Sequence, residues 1–322
     1  MEKPPLAIHG QYRLKIKSSV PLKLSEKSLI YFTERNKTIM KKIGFVDYYI
    51  SEWHANNYPT WMKNACEKLG LDFEVAYAWA EIDKSPVDGV TTDEWCEKNG
   101  VQKCDTIEEL CEKSDMIVIL APSNPETHLR FAEKVLPYGK RTYIDKTFTP
   151  DYATAKKIFE IAEKSGAKFF STSALRYAEE LPYYDTLKDV KSAIITGPGG
   201  SFEEYIIHQV EMLVNILKKK PTRAKVETVG LTSEGTVMYE DGSRAKLIYS
   251  PRYPFTVYAD DGVESGEQKP IVSGYFPALM ENILKFFDTG VLPFDSQQTL
   301  DCMNIREALI KGLENDGQWI EL

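Results

Sequence analysis

The run Met116-Ile117-Val118-Ile119-Leu120 is the stretch of the chain that most directly decides its fold. A strand that is apolar on both faces is typical of a parallel sheet that helices cover on both sides. Short apolar runs before and after this stretch alternate with helical patterns, which indicates repeated strand-helix-strand units. The run therefore predicts an inner strand of a doubly wound α/β sheet.

The sequence on either side of this strand supplies the other units of the sheet. Further strands are predicted at residues 43–46, 73–80, 141–144 and 168–172, and helices at 58–69, 92–99, 125–136 and 152–165. Thr106 and Glu109 form a capping-box pattern that starts one more short helix. These elements predict a Rossmann-type doubly wound parallel sheet over residues 40–173. Residues 1–39 are expected to be an N-terminal extension: an upstream start, a tag remnant or an ordered arm.

The second half of the chain, residues 174–322, follows a different rhythm. A long helix at 202–219 precedes strands at 226–231, 235–239, 243–249 and 255–259 that follow one another without helices between them. Asp241-Gly242 and Asp261-Gly262 supply the positive φ angles that tight hairpins need. We expect an α+β domain with a mainly antiparallel sheet, closed by helices at 275–289 and 296–314 and a short strand near Trp319.

The composition of the chain excludes several classes of partner. Its 322 residues suffice for two domains, and a net charge of −8 without a basic stripe argues against nucleic acid and anionic membranes. No apolar run approaches the length of a membrane span. The five cysteines form no CxxC pair, which predicts reduced buried thiols, no metal site and a cytoplasmic location. A small molecule is the expected ligand.

Several short motifs lie in one order along the chain. They are Trp53-His54-Ala55, Ala121-Pro122 through His128, Asp145-Lys146-Thr147, Leu175-Arg176-Tyr177, and Gly199 through His208. This series resembles the glucose-fructose oxidoreductase, inositol dehydrogenase and MocA (Gfo/Idh/MocA) family of NAD(P)-dependent oxidoreductases over residues 40–322. The resemblance implies NAD or NADP as cofactor, a sugar- or polyol-like substrate, and a homo-oligomer. Residues 174–322 would then bind substrate and carry the contacts between subunits.

The resemblance also implies three catalytic residues. Lys146 follows the end of a parallel strand, where an ammonium facing nicotinamide and substrate stabilises a developing alkoxide. His208 is implied to accept the hydroxyl proton, and Glu204, one helical turn before it, to bind substrate or assist that transfer. Both Lys146 and His208 also allow a plainer interpretation, as an exposed lysine and as a histidine packed between domains.

The turn after the first strand, Asp47-Tyr48-Tyr49-Ile50-Ser51-Glu52, lacks the glycines that let a dinucleotide pyrophosphate approach backbone amides. Asp47 and Tyr49 occupy the first two glycine positions of the family, and with Ile50 they are the candidate cofactor contacts here. A carboxylate at a helix N-terminus is attracted by the helix dipole and repels a phosphate. Two interpretations follow: protein groups fill the phosphate position, or a different turn leaves room for the cofactor.

The remaining candidates border the cofactor or the substrate. Glu81 follows the second strand, where a carboxylate accepts hydrogen bonds from an adenosine ribose and favours NAD over NADP. Asp83 is equally well placed, and either residue also suits a solvated loop. The other implied cofactor contacts are Ala121, Pro122, Asn124, His128, Asp145 and Lys146, and the implied substrate contacts are Arg176, Tyr177 and Glu204. Arg176 and Tyr177 equally suit packing between domains.

These observations give a primary hypothesis and an alternative. The primary hypothesis is an oxidoreductase that transfers a hydride between nicotinamide and a sugar- or polyol-like hydroxyl. The alternative is a catalytically silent relative that binds a ligand or a partner subunit, and the altered turn favours it.

Overall fold

Six parallel strands form the first sheet, in the order β3-β2-β1-β4-β5-β6. They are β1 Lys41–Asp47, β2 Phe73–Ala80, β3 Gln102–Lys103, β4 Met116–Ile119, β5 Arg141–Ile144 and β6 Phe169–Ser171. Because the chain winds outward from β1 in both directions, this is the doubly wound Rossmann arrangement, and the predicted fold class is confirmed. The computed structural model describes residues 40–322, so the predicted extension at 1–39 lies outside the described residues.

Helices cover both faces of this sheet. They are α1 Trp53–Leu69, α2 Thr92–Asn99, α3 Ile107–Lys113, α4 His128–Val135 and α5 Tyr152–Ser165. The four residues of β4 are all buried, with Met116 and Val118 in one hydrophobic cluster and Ile117 and Ile119 in another. Alternate residues of a strand point to opposite faces, so the unbroken apolar run follows from a sheet that is covered twice.

Helix α1 begins at Trp53, five residues earlier than predicted. Pro59 favours a helix start nearby because its missing N–H costs nothing in the first turn. The structure instead starts the helix at Glu52, whose carboxylate caps it, and carries Pro59 inside. The helix ends at Gly70, which adopts φ 66°.

The second sheet has seven strands, in the order β12-β11-β7-β10-β9-β8-β13. They are β7 Ser192–Gly197, β8 Pro221–Val229, β9 Thr232–Tyr239, β10 Arg244–Tyr249, β11 Thr256–Asp260, β12 Lys269–Pro270 and β13 Ile320–Glu321. Strand β7 was not predicted, and its pairing with β10 is parallel, whereas the other pairings are antiparallel. The sheet is therefore mainly antiparallel, as expected.

Three long helices accompany the second sheet: α6 Phe202–Leu217, α7 Tyr275–Thr289 and α8 Gln297–Glu314. Residues of α6 and α8 share a hydrophobic cluster with the second sheet, whereas residues of α7 belong to the cluster that contains α1. The predicted division at residue 173 falls between β6 and the short 3-10 helix Ala174–Tyr177. This layout brings α6 and the start of α7 to the carboxyl end of β5, whereas the end of α7 contacts Lys41 and Arg141 at the amino ends of β1 and β5. Across residues 40–322, no helix is both long and apolar enough to cross a membrane.

Candidate active site

A pocket of about 230 Å³ lies beyond the carboxyl end of β5. Its lining combines titratable side chains with aromatic ones: Trp53, His54, Tyr58, Asp145, Lys146, Ser173, Ala174, Leu175, Tyr205, His208, Phe255, Tyr275 and Phe276. Ligand crevices in open α/β sheets form outside the carboxyl ends of the strands, so the pocket lies where the fold predicts a ligand. The structure thus brings Asp145, Lys146 and His208 together.

Asp145 is the centre of a buried hydrogen-bond cluster at one side of the pocket. Its carboxylate forms a short contact with His54 Nδ1 and accepts hydrogen bonds from the Tyr143 hydroxyl at 3.2 Å and the Lys146 amide at 2.8 Å. Burial alone would raise the pKa of Asp145, but the facing His54 and Lys146 charges outweigh it and lower that pKa. Asp145 is therefore an ionised group that orients His54 toward the pocket.

His208, on α6, also lines the pocket. Its Nδ1 is 2.7 Å from Ser173 Oγ, which leaves Nε2 as the nitrogen available to a ligand. Burial lowers the pKa of His208 well below the usual histidine value, and the positive charges of Lys146 and His54 lower it further. The imidazole is therefore neutral at pH 7 and able to accept a proton.

Lys146 lies between these groups, half-buried at the end of β5. Within residues 40–322 its ammonium has no carboxylate within 4.0 Å, in contrast to many other lysines of the chain. A cation without a protein counterion, next to a neutral imidazole, is suited to a ligand oxygen that gains negative charge.

Aromatic side chains form the remaining walls. Trp53 contacts Phe276 with ring centroids 5.1 Å apart, and Phe255 lies edge-on to His208 at 6.0 Å. Trp53 is 56% exposed, so an apolar surface extends from the pocket to solvent. A few polar groups among apolar walls are typical of a small-molecule site.

The dinucleotide turn, residues 47–52, lies outside this pocket and is filled by its own side chains. Glu52 accepts hydrogen bonds from the amides of His54 at 2.7 Å and Ala55 at 2.5 Å, which are the first free amides of α1. Asp47 Oδ1 accepts from the amides of Tyr48 at 2.7 Å and Ala121 at 3.0 Å. The cavity between the turn and residues 121–124 measures about 10 Å³, roughly the space for one water molecule.

This turn does not fit a dinucleotide pyrophosphate. The amides that would hold it are engaged by Glu52, and the backbone approach is closed. The Glu52 carboxylate occupies the place that a phosphate would take, and two unit charges of like sign 4 Å apart near a protein surface repel by about 4 kcal/mol. Of the two interpretations of the sequence, the geometry agrees with the first, in which protein groups fill the phosphate position.

Burial and mutual repulsion also affect the two acids of the turn. Burial raises the pKa of Asp47 well above its usual range, and the charge of Glu52 raises it further. Burial likewise raises the pKa of Glu52, against the opposing effect of the His54 charge. Asp47 Oδ2 is buried and has no hydrogen-bond partner among the described residues.

Several of the predicted contacts lie outside the pocket. Both ring nitrogens of His128 bond backbone carbonyls, those of Phe148 and Leu120, so the ring is a buried packing element rather than a cofactor contact. Arg176 is buried against Glu211 with Nε 2.7 Å from its carboxylate, away from the pocket. Glu204 is exposed and outside the lining, because it lies with Glu203 on the solvent-facing side of the first turn of α6.

The other candidates are placed as follows. Glu81 forms a two-pronged ion pair with Arg130, which engages the oxygens that a ribose would use. Asp47, Tyr49, Ala121, Pro122 and Asn124 line the small cavity at the dinucleotide turn, whereas Ile50 is buried in the core beneath it. The Tyr177 hydroxyl is buried, has no partner within residues 40–322, and does not line the pocket.

Sequence reasoning missed His54, Tyr58 and Tyr143 as parts of the site. A helix places His54 and Tyr58 one turn apart on one face, and a strand places Tyr143 and Asp145 on one side. The chain has only four histidines, and this rarity was the available signal that His54 belongs to a functional site. Ser173 and the aromatic walls carried no comparable pattern.

All five cysteines lie in the described residues and are buried and unpaired, as predicted. Burial raises the pKa of the Cys96 and Cys104 thiols to about 11, so they are not nucleophiles at neutral pH. Within residues 40–322, no three His, Cys, Asp or Glu side chains are grouped so as to hold a metal ion.

Comparison with known proteins supports the resemblance seen in the motifs. The family described as "Oxidoreductase family, NAD-binding Rossmann fold" matches residues 87–173. The uncharacterized oxidoreductase YhhX of Escherichia coli K12 is 28% identical over 60 residues, which are 19% of this chain and 17% of that protein. The chain thus spans well under two thirds of the curated relative it matches.

Solved structures share the fold over most of both chains. The myo-inositol dehydrogenase of Lactobacillus casei, solved with NAD(H) and myo-inositol, has a TM-score of 0.72 at 10% identity and covers 88% of this chain and 97% of its own. A putative myo-inositol dehydrogenase of Sinorhizobium meliloti has a TM-score of 0.69 at 13% identity, with 87% and 99% covered. At these identities the likeness establishes the fold alone. The family match over residues 87–173 agrees with the ordered motifs, so the chain is similar to the Gfo/Idh/MocA oxidoreductases.

Proposed function

We propose that the pocket is the catalytic site of an oxidoreductase that interconverts a hydroxyl and a carbonyl group on a sugar- or polyol-like molecule. The observation that carries this proposal is the convergence of Lys146 and His208 on one cavity of about 230 Å³. That volume suits a ligand the size of a monosaccharide. Two of the solved relatives are inositol dehydrogenases, which supports a polyol as the ligand class.

His208 is the proposed proton acceptor. When Nδ1–H donates to Ser173 Oγ, Nε2 carries a lone pair that can take the hydroxyl proton of the ligand. The lowered pKa keeps this lone pair free at neutral pH. Proton transfer by a positioned side chain contributes about 100- to 10,000-fold to rate.

Lys146 is the proposed electrostatic partner of the ligand oxygen. Loss of the hydroxyl proton to His208 leaves an alkoxide, and oxidation to the carbonyl would require a nicotinamide to accept the hydride from the same carbon. The ammonium stabilises the negative charge at the oxygen, and it has no competing carboxylate within residues 40–322. The His54–Asp145 pair, on the other side of the pocket, fixes a second polar group for the ligand.

NAD(H) or NADP(H) is the hydride carrier that the family implies. The pocket accommodates the substrate half of the reaction, whereas the dinucleotide turn does not fit the pyrophosphate. Glu81, which would favour NAD, is engaged by Arg130. The described residues therefore support ligand binding and proton transfer, and they give no preference between NAD and NADP.

A second candidate is a protein that binds the same ligand without turnover. The occupied dinucleotide turn is the observation that favours it. The two candidates differ in one result: saturable polyol binding with hydride transfer supports the first, and saturable binding without transfer to any supplied nicotinamide supports the second.

The test is a calorimetric titration of the protein with myo-inositol and a panel of monosaccharides. We expect at least one to bind saturably to the wild type and at least about tenfold more weakly to Lys146→Met. Lys164→Met, an exposed lysine on α5, is the matched control and should leave the affinity unchanged. Absence of saturable binding by every sugar and polyol contradicts both candidates.

We also propose a homo-oligomer that forms through the second sheet. Helices α6 and α8 cover one face, and on the other face Ile194 is 39% exposed beside the half-buried Tyr258. Light scattering should give a mass above that of one chain, and a monomer at high concentration contradicts this.

The unpaired buried cysteines support a cytoplasmic location, which fractionation of the native host would test.

A further inference from the structure

The N-terminus of α1 already holds an anion, and that anion is part of the chain. Glu52 stands at the N-cap with φ −134°, and its two carboxylate oxygens accept from the amides of His54 and Ala55. A helix N-terminus binds a phosphate through these same free amides and its positive dipole end. An external phosphate therefore finds the donors taken and a negative charge beside them.

Asp47 closes the same space from the side of the sheet. It is 1% exposed, and its Oδ1 ties the end of β1 to the backbone of Ala121. Its buried Oδ2, which has no partner among the described residues, belongs to the same cavity as Glu52. Two acids thus line a space of about 10 Å³, far too small for a diphosphate.

The backbone of the turn did not need glycine to fold. Among residues 40–322, the non-glycine residues with positive φ are Ala121 and Lys218, so Asp47 and Tyr49 adopt ordinary conformations. The glycines of a dinucleotide turn serve the close approach of the phosphate rather than the path of the chain alone. Their replacement therefore removes the binding site while it leaves the fold intact.

We propose that the Glu52 carboxylate permanently replaces the pyrophosphate of a dinucleotide at this helix, so that free NAD(H) and NADP(H) do not bind at the dinucleotide turn. The inference concerns the turn rather than the substrate pocket and does not rest on the function proposed above. Any hydride carrier that serves the pocket is then held by contacts other than the pyrophosphate site.

The test compares dinucleotide binding by the full-length wild type and two variants. NADH, NAD⁺, NADPH and NADP⁺ are titrated separately by calorimetry. The glycine-restored variant carries Asp47→Gly, Tyr49→Gly and Glu52→Gly. The single variant Glu52→Ser keeps an N-cap acceptor while it removes the charge and the long side chain. Glu94→Ser, which removes one acid from the first turn of α2, controls for net charge.

We expect the wild type and Glu94→Ser to bind each dinucleotide equally weakly. Glu52→Ser should gain at least about tenfold in affinity for one dinucleotide, equivalent to ~1.4 kcal/mol, and the glycine-restored variant more. Tight binding to the wild type that Glu52→Ser leaves unchanged overturns the inference. So does a Glu52→Ser protein that melts like the wild type and gains nothing.

The outcomes separate this inference from the proposed function. Myo-inositol is titrated into the same proteins, and its affinity should be equal in the wild type and Glu52→Ser, because the turn lies outside the pocket. Loss of polyol binding in all proteins contradicts the proposed function and leaves the inference at the turn standing.

Discussion

At the scale of single residues, the protonation state of His208 depends on its burial and on three charged neighbours. Burial lowers its pKa, the positive charges of Lys146 and His54 act in the same direction, and the negative charge of Asp145 opposes them. The sequence predicted His208 and Lys146 as partners because family motifs place them. It did not predict His54, since the residue that orients it, Asp145, lies 91 positions away in the chain. Contacts of that separation are set by the winding of the sheet rather than by local pattern.

Removal of the Lys146 charge should raise the pKa of His208. In Lys146→Met the imidazolium no longer faces that cation, so protonation becomes easier and the pKa moves up toward the usual histidine value. Nuclear magnetic resonance titration of the His208 ring measures this directly, with Lys164→Met as the control. A His208 pKa that stays fixed or falls contradicts the proposed geometry.

Replacement of His208 should remove proton transfer and spare the fold. In the glycine-restored variant supplied with NAD⁺ and a polyol that binds, His208→Gln is expected to lower kcat by about 100- to 10,000-fold. Ser173→Ala, which removes only the partner of Nδ1, should cost less and shift the pH profile. Equal rates with and without His208 would show that another group accepts the proton.

The pH dependence of stability should reveal the buried acid Asp47. Its pKa is raised in the folded state, so the folded protein holds this proton more firmly, and that contribution is lost as pH rises through the folded pKa. Asp47→Asn has no such proton to lose. Relative to the wild type, its free energy of unfolding should therefore increase as the pH rises above about 4, the usual pKa of an aspartate.

Urea unfolding at several pH values measures this difference. Asp72→Asn, an exposed acid just before β2, is the matched control and should run parallel to the wild type. A wild type and Asp47→Asn that stay parallel across the range would show that Asp47 is ionised without penalty.

At the scale of single elements, α1 shows which features of a helix can be predicted from the sequence. The amphipathic pattern predicted the helix and its end near Leu69 correctly, but its start was placed five residues late. Glutamate is not among the preferred N-cap residues, so nothing local marked Glu52 as a cap. The Thr106 side chain caps its helix as predicted, because its hydroxyl accepts a hydrogen bond from the Glu109 amide. A complete capping box, with both reciprocal hydrogen bonds, is formed by Thr91 and Glu94.

The cap formed by Glu52 should contribute measurably to stability. Glu52→Ala leaves the amides of His54 and Ala55 without their acceptor and should lower the free energy of unfolding by about 0.5–2 kcal/mol. Glu52→Ser restores an acceptor and should lose less. Urea denaturation measures both, and an Ala variant as stable as the wild type means that the carboxylate does not cap the helix in solution.

At the scale of the whole molecule, a buried ion pair joins the two sheets. Arg176 follows β6, and its partner Glu211 lies on α6, with Thr172 and Gln298 completing the hydrogen bonds. The sequence left Arg176 open between substrate binding and packing, because one arginine at a domain crossing suits both. The structure resolves this toward packing, since the guanidinium is buried and stacks 4.2 Å from the Phe294 ring.

Removal of one partner of this ion pair should lower the free energy of unfolding far more than removal of both partners. Arg176→Met leaves the Glu211 carboxylate buried and uncompensated, so the expected decrease in unfolding free energy is about 3–5 kcal/mol. Arg176→Met with Glu211→Leu should recover much of that loss. Polyol affinity in the double variant should match the wild type, and a selective loss of binding would return Arg176 to the substrate site.

The overall fold could be predicted from the sequence, whereas the occupation of the dinucleotide turn by protein side chains could not. Periodicity fixes which faces are buried, so β4 and the doubly wound sheet followed from one apolar run. Strand β7, Ser192–Gly197, was not predicted from the sequence. Missing glycines showed that the turn was altered, but only the side-chain positions of Asp47 and Glu52 show that it is filled.

We infer that this chain keeps the Rossmann fold of the oxidoreductases it resembles, while its own Glu52 carboxylate occupies the place of the dinucleotide phosphates. A crystal structure of the wild type grown in saturating NADH tests it most directly. We expect the Glu52 carboxylate to accept hydrogen bonds from the amides of His54 and Ala55, with no dinucleotide bound at residues 47–52. A pyrophosphate on those amides, with the Glu52 side chain turned away, would contradict it.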